Sequence, residues 1–70
     1  MSYFGMFSDA GTAAVQALVD QSIASHWTWK QTYEKLKEVR RQFPEALDTD
    51  VRECVYCAIG AHKRDEEFYL

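Results

Sequence analysis

The segment that decides the fold is Asp50–His62, which reads DVRECVYCAIGAH. Its apolar residues recur every three or four positions, so they line one face of an α-helix and predict a buried stripe. Asp50 and Glu53 are spaced to cap the first turn of that helix. Gly60 either ends the helix in a left-handed conformation or marks a close contact inside a longer one. The stripe recurs at i, i+3, i+4, i+7, i+8 and i+11 and consists of Val51, Cys54, Val55, Ala58, Ile59 and His62.

A first helix is predicted over residues 10–25. Ser8 or Asp9 is its expected N-cap, because a short polar side chain before the first turn accepts a hydrogen bond from a free backbone N–H. The segment is rich in alanine, which has the highest helix propensity. We expect its apolar face to cover the stripe of the third helix. That face consists of Val15, Leu18, Val19, Ser22 and Ile23.

A second helix is predicted over residues 29–42. Thr28 and Gln31 form a capping-box pattern at its start. Pro44 ends it, because the residue before a proline is pushed out of the α region. A single turn after Pro44 is expected to place Leu47 on the core. The apolar stripe of this helix consists of Trp29, Tyr33, Leu36, Val39 and Phe43.

With a third helix over residues 50–62, the pattern predicts one all-α domain spanning residues 1–70, a small three-helix bundle with short connections. A chain of this length buries only about 60% of its unfolded surface, so covering further apolar area stabilises it. Both ends of the chain are aromatic. We therefore expect the N- and C-terminal segments to pack across the bundle through Tyr3, Phe4, Phe7, Phe68, Tyr69 and Leu70.

Aromatic side chains make up 14% of the chain, more than three short helices easily hide. Trp27 and Trp29 lie about 200° apart around a helix axis, so they cannot both point into one core. Tyr56, Phe68 and Tyr69 are further candidates for an exposed patch, since Trp and Tyr are enriched in binding hot spots. The competing interpretation is that the chain ends fold back over these rings.

The leading functional prediction is a small non-catalytic protein-binding module that acts through this aromatic patch. Its expected partner is another protein or a second copy of the chain in a homodimer. Small acidic single-domain chains are often accessory regulators or inhibitors, including those of phages and mobile elements, and this expectation comes from the class alone.

A basic cluster on the second helix supports an alternative function. Lys37, Arg40 and Arg41 precede a turn and a further helix, which invites a helix-turn-helix interpretation with nucleic acid bound by helices two and three. The formal net charge of −3 disfavours it. So do Asp48 and Asp50, which would stand at the entering end of the reading helix.

Cys54 and Cys57 form a C-x-x-C motif with two chemical interpretations. A redox pair normally lies where a strand enters a helix, and no strand is predicted before Cys54. A zinc-stabilised domain would need His62, with His26 as the fourth ligand. On a continuous helix Cys57 and His62 are about 140° apart, so they share an ion only if the helix breaks at Gly60. Free thiols in or beside the core are favoured, and no metal or cofactor is predicted.

Catalysis is not predicted. Neither His26 nor His62 is spaced with a nucleophile in a recognised motif. The carboxylates are distributed as caps and solvated faces, and a three-helix domain of this size seldom encloses a catalytic pocket. No signal peptide and no apolar run of about 18 residues is visible. We therefore expect a cytoplasmic protein with reduced cysteines and no membrane partner.

Overall fold

Three α-helices form the architecture of the computed structural model, which describes residues 8–70. No strand occurs in this part of the chain, so the prediction of a small all-α three-helix bundle is confirmed. The predicted packing of Tyr3, Phe4 and Phe7 lies outside the described residues. The elements are α1 (Asp9–Ser25), α2 (Trp29–Arg40), a 3-10 turn (Pro44–Leu47), α3 (Thr49–Ala58) and a second 3-10 turn (Ala61–Arg64).

The starts of α1 and α2 follow local capping chemistry. The Ser8 hydroxyl accepts a hydrogen bond from the Gly11 N–H at 3.1 Å, so Ser8 is the N-cap of α1. At α2 the Thr28 hydroxyl accepts from the Gln31 N–H at 3.2 Å, and the Gln31 side chain accepts from the Thr28 N–H at 2.9 Å. This reciprocal pair is the predicted capping box. Between the two helices, His26 ends α1 with a left-handed φ of 55°.

The connection from α2 to α3 is compact. α2 ends at Arg40, earlier than the predicted Gln42, and Phe43 is extended at φ −131° because Pro44 follows it. In the 3-10 turn after it, Ala46 is fully buried, whereas Leu47 is only half-buried against the core. The small side chain therefore occupies the deepest place in this turn, and Leu47 covers its edge.

α3 is shorter than its apolar periodicity predicts. It begins at Thr49 and ends at Ala58, because Gly60 adopts a left-handed φ of 77° that breaks the helix before His62. Asp48 is the N-cap without a side-chain hydrogen bond, so the predicted capping by Asp50 is wrong. His62 is exposed and does not continue the stripe. The break lets the chain turn back toward the start of α2.

The core draws on all three helices and both 3-10 turns. The predicted stripes supply most of it, with two exceptions at their ends, since Ile23 is 51% exposed and His62 is also exposed. Trp29 is by volume the largest of the fully buried side chains. The buried apolar residues are Val15, Leu18, Val19, Trp29, Leu36, Ala46, Val51, Val55, Ile59 and Ala61.

Two hydroxyl groups lie buried between α1 and α2. Ser22 Oγ and Thr32 Oγ1 are 2.7 Å apart, and Thr32 Oγ1 also donates to the Thr28 carbonyl at 2.9 Å. Since the Thr32 proton is used on Thr28, the Ser22 hydroxyl donates to Thr32. Both side chains are almost fully buried, and each satisfies the other where water cannot reach.

We expect Thr32→Val to lower the free energy of unfolding by about 1–3 kcal/mol, because it leaves the buried Ser22 hydroxyl unpaired. Ser22→Ala should cost about 1 kcal/mol, since Thr32 keeps its bond to Thr28. Chemical denaturation of both single variants and of the double variant measures the coupling. The double variant should lose less than the sum of the two. Additive losses would show that the hydroxyls do not interact.

Candidate protein-binding surface

Trp29 lies at the centre of an aromatic cluster. Its side chain is 1% exposed, although it stands at the first position of α2. The ring meets Tyr33 and Tyr56 edge-on, with centroids 5.5 Å and 5.4 Å away. Phe68 stacks on the Trp29 ring at 5.7 Å with an interplanar angle of 6°. The cluster therefore joins α2, α3 and the C-terminal segment.

Hydrogen bonds hold the C-terminal segment on this cluster. The Trp29 indole N–H donates to the Phe68 carbonyl at 2.8 Å. The Tyr56 hydroxyl donates to the Glu66 carbonyl. Both donors are side chains of the core or its edge, and both acceptors are backbone carbonyls of the tail. The C-terminal segment therefore packs across the bundle, as the sequence predicts.

The Glu66 carboxylate binds the start of α2. One oxygen accepts from the Trp29 backbone N–H at 2.7 Å, and the other accepts from Arg64 Nε at 2.6 Å. Arg64 also donates to the Ile59 and Trp27 carbonyls, at 3.0 Å and 3.4 Å. A carboxylate is favoured here because the first N–H groups of a helix are unpaired and carry its positive dipole end. Arg64 and Glu66 together tie the tail to the α1–α2 connection.

The ionisation of Glu66 reflects these contacts. Burial of the carboxyl opposes its charge. The hydrogen bond from the Trp29 N–H and the hydrogen bond and charge of Arg64 outweigh that effect, so the pKa of Glu66 is lowered from its ordinary 4.5. The charged form is therefore the one that stabilises the folded chain.

Beyond the anchored ring of Phe68, the tail exposes apolar side chains. Tyr69 is 78% exposed and Leu70 61% exposed, and the Tyr69 ring contacts the Phe68 ring edge-on at 5.1 Å. Trp27 is half-buried in the α1–α2 connection, and Ile23 is exposed in the last turn of α1. These five residues belong to segments at the end of the bundle where α1 passes into α2. We call them the aromatic end.

The predicted patch residues divide by burial. Trp29 is a core residue and presents no surface, because the ring of Phe68 covers it. Tyr56 and Trp27 are half-buried, and Tyr69 is exposed. The interpretation that the tail folds back over the rings therefore holds for Trp29 and Tyr56.

Sequence reasoning missed three residues of this region. Arg64 and Glu66 lie in a charged tail with no periodicity, and their carbonyl and N–H partners are distant in sequence. Ile23 matches the apolar stripe of α1, so nothing in the sequence separates it from the buried members. The one weak signal in the sequence is that Glu66 follows Arg64 by two residues, a spacing that allows the two side chains to form an ion pair.

The basic cluster lies on the exposed face of α2. Lys37 is 3.3 Å from Glu34, and its ammonium group lies 5.1 Å from the centre of the Tyr33 ring. Arg40 and Arg41 are exposed, and neither makes an ion pair with any residue from 8 to 70. The two arginines are thus available to an acidic partner, whereas Lys37 is already paired.

The C-x-x-C thiols are both free, with Cys54 half-buried and Cys57 exposed. Burial, followed by the charges of Asp50, Cys57 and Glu53, raises the pKa of the Cys54 thiol above 9.0. A raised pKa lowers the thiolate fraction, on which nucleophilic reactivity and metal binding depend. Within residues 8–70 no group of three or more His, Cys, Asp and Glu side chains is placed to hold a metal ion.

Comparison of the chain with protein-family models, curated proteins and solved structures finds no match. Among the helices of residues 8–70, none combines the length and apolar character required to cross a bilayer. The class that the fold and surface define is a small helical bundle with an anchored aromatic tail.

We expect the stability of the protein to fall as the pH drops below about 4.5, through the lowered pKa of Glu66. Protonation weakens the contacts of the Glu66 carboxylate with Trp29 and Arg64. The contribution of these contacts to stability is therefore present above the pKa of Glu66 in the unfolded chain and is lost as the pH falls through its lower pKa in the folded chain. Glu66→Gln should have a lower melting temperature than wild type at neutral pH, and the gap should shrink in acid. Thermal melts over the acid range measure it, with exposed Glu67→Gln as the control. A gap independent of pH would contradict the assignment.

Proposed function

We propose that this protein is a small non-catalytic module that binds another protein through its aromatic end. The observation that carries the proposal is the exposure of Tyr69 and Leu70 directly after an anchored Phe68. Exposed apolar residues that directly follow an anchored residue favour binding, because ordering such a short extension costs less free energy than ordering a free segment.

The anchoring of the tail favours binding energetically. Ordering a flexible segment on association costs free energy that otherwise reduces affinity. Here the hydrogen bonds to Phe68 and Glu66 and the stacking on Trp29 already order the backbone up to Phe68. A partner that contacts Tyr69 and Leu70 therefore binds residues that lie directly beside an ordered part of the backbone.

The expected partner presents an apolar recess that takes the Tyr69 and Leu70 side chains. A second copy of this chain is one such partner, and a homodimer would cover the aromatic end of both copies. For a foreign partner, the small size and the absence of a recognised catalytic motif in the sequence fit an accessory regulator or inhibitor that works in the cytoplasm, as carried by phages and mobile elements.

Tyr69→Ser combined with Leu70→Ser should weaken association at least tenfold, because hot-spot aromatic contacts dominate binding free energy. The melting temperature should change little, since both side chains are exposed. Native mass spectrometry over a concentration series measures self-association. Co-purification from the source cells, compared between wild type and variant, measures binding of a foreign partner.

The matched control is Ala13→Ser with Ala17→Ser, which changes two exposed positions on α1. It should leave both measurements unchanged. Association that is equally strong in the Tyr69→Ser, Leu70→Ser variant, or lost equally in the control, would contradict the proposal.

The second candidate function is nucleic-acid binding through α2 and α3. Arg40 and Arg41 favour it, because both are exposed and neither makes an ion pair within residues 8–70. Fluorescence anisotropy with labelled duplex DNA at several salt concentrations tests it. If it holds, Arg40→Ala with Arg41→Ala should weaken binding and reduce the salt slope by about 2, roughly one unit for each phosphate that is no longer neutralised. Lys35→Ala with Lys63→Ala is the charge-matched control. An equal loss of affinity in both variants would indicate only non-specific attraction.

A further inference from the structure

A groove of about 520 Å³ runs along one flank of α3. Its lining residues fall at i, i+3, i+4, i+7 and i+8, so they share one helix face over about 12 Å. Tyr56, whose ring contacts Phe68 of the aromatic end, is about 100° away from Cys57 around the helix, on the opposite flank of the buried stripe. The groove is therefore separate from the aromatic end. It is lined by Asp50, Glu53, Cys54, Cys57 and Ala58.

The floor of the groove is small and apolar. Cys54 and Ala58 are half-buried, and Cys57 is exposed beside them. None of these side chains is long enough to fill the space above it. The groove is open to solvent, because all of its described lining lies on α3. The groove can therefore accept apolar side chains from outside.

The rim of the groove is acidic. Asp50 and Glu53 are both exposed and lie three residues apart, so their side chains are neighbours on the helix. Neither makes an ion pair with another residue in the range 8–70. Their negative charges act within the groove. Burial is the largest cause of the raised pKa of the Cys54 thiol, and the charge of Asp50 is the second.

We propose that this groove binds a basic amphipathic segment of a partner protein. Apolar side chains of that segment contact Cys54, Cys57 and Ala58, and its Lys or Arg side chains pair with Asp50 and Glu53. The charge of the occupant follows from desolvation. Covering an unpaired carboxylate is costly, and a cationic group on the covering segment offsets that cost more strongly than a neutral donor does. A neutral or acidic apolar segment is disfavoured for the same reason.

Fluorescence anisotropy with a labelled Leu–Lys peptide of roughly 18 residues, long enough to form a helix, tests the groove. A Leu–Glu peptide of the same pattern is the matched probe and should not bind. Asp50→Asn with Glu53→Gln should weaken binding of the Leu–Lys peptide about tenfold. Asp20→Asn with Glu38→Gln removes the same charge from another exposed face and should change it less than about twofold. Equal losses of affinity in the two variants, or equal binding of the two peptides, would overturn the proposal.

The thiol of Cys57 reports where the peptide binds. Saturating Leu–Lys peptide should slow alkylation of Cys57 by iodoacetamide at least fivefold, measured by mass spectrometry, and an unchanged rate would overturn the site.

Phe4→Ser with Phe7→Ser is the last variant. Unchanged peptide affinity supports a partner as the occupant, whereas a tenfold gain would show that the chain's own N-terminal residues compete for the groove and would overturn the proposal. The Tyr69→Ser, Leu70→Ser variant should bind the peptide as wild type does, which separates this test from that of the aromatic end.

Discussion

Burial of the Trp29 side chain is the constraint on which the rest of the structure depends. A buried indole N–H needs an acceptor, and no carbonyl of α2 can supply one to its own first residue. The Phe68 carbonyl does so, and the Phe68 ring then covers the indole. The backbone N–H of the same tryptophan takes Glu66 as its partner. One residue at the start of α2 thus organises the C-terminal segment over the bundle.

This constraint explains why the protein has an anchored apolar tail at all. A chain of 70 residues has little core, so it gains from laying Phe68 over Trp29 and Tyr56. Tyr69 and Leu70 directly follow the anchored Phe68, and their side chains lie outside the core and are exposed. Stability and the candidate binding surface are therefore coupled, because loosening the stacked pair would also release the anchor that holds Tyr69 and Leu70 at this end of the bundle.

The carboxylates show how position divides similar groups between stability and recognition. Glu66 meets a helix N-terminus and a guanidinium, and its charge is used inside the molecule. Asp50 and Glu53 are exposed beside a groove and make no ion pair within residues 8–70, and we propose that a cationic group of a partner pairs with them. The contacts of Glu66 offset the cost of a carboxylate that is partly removed from water, and a cationic group would offset the same cost if a partner covered Asp50 and Glu53. The surface therefore has two chemically different faces, one apolar and aromatic and one acidic.

Capping motifs and apolar spacing in the sequence predicted the three helices, the Thr28 capping box and most of the core stripes, because these depend on contacts within about four residues. The sequence also indicated that one of Trp27 and Trp29 must lie outside. Only the tertiary structure decided that Trp29 is the buried one. The sequence left the break of α3 at Gly60 as one of two alternatives, and the left-handed φ of 77° selects it. The use of Glu66 was likewise decided by the tertiary structure, since its partner Trp29 lies 37 residues away along the chain. Local periodicity carries no information about such pairs, which form only when distant parts of the chain meet in space.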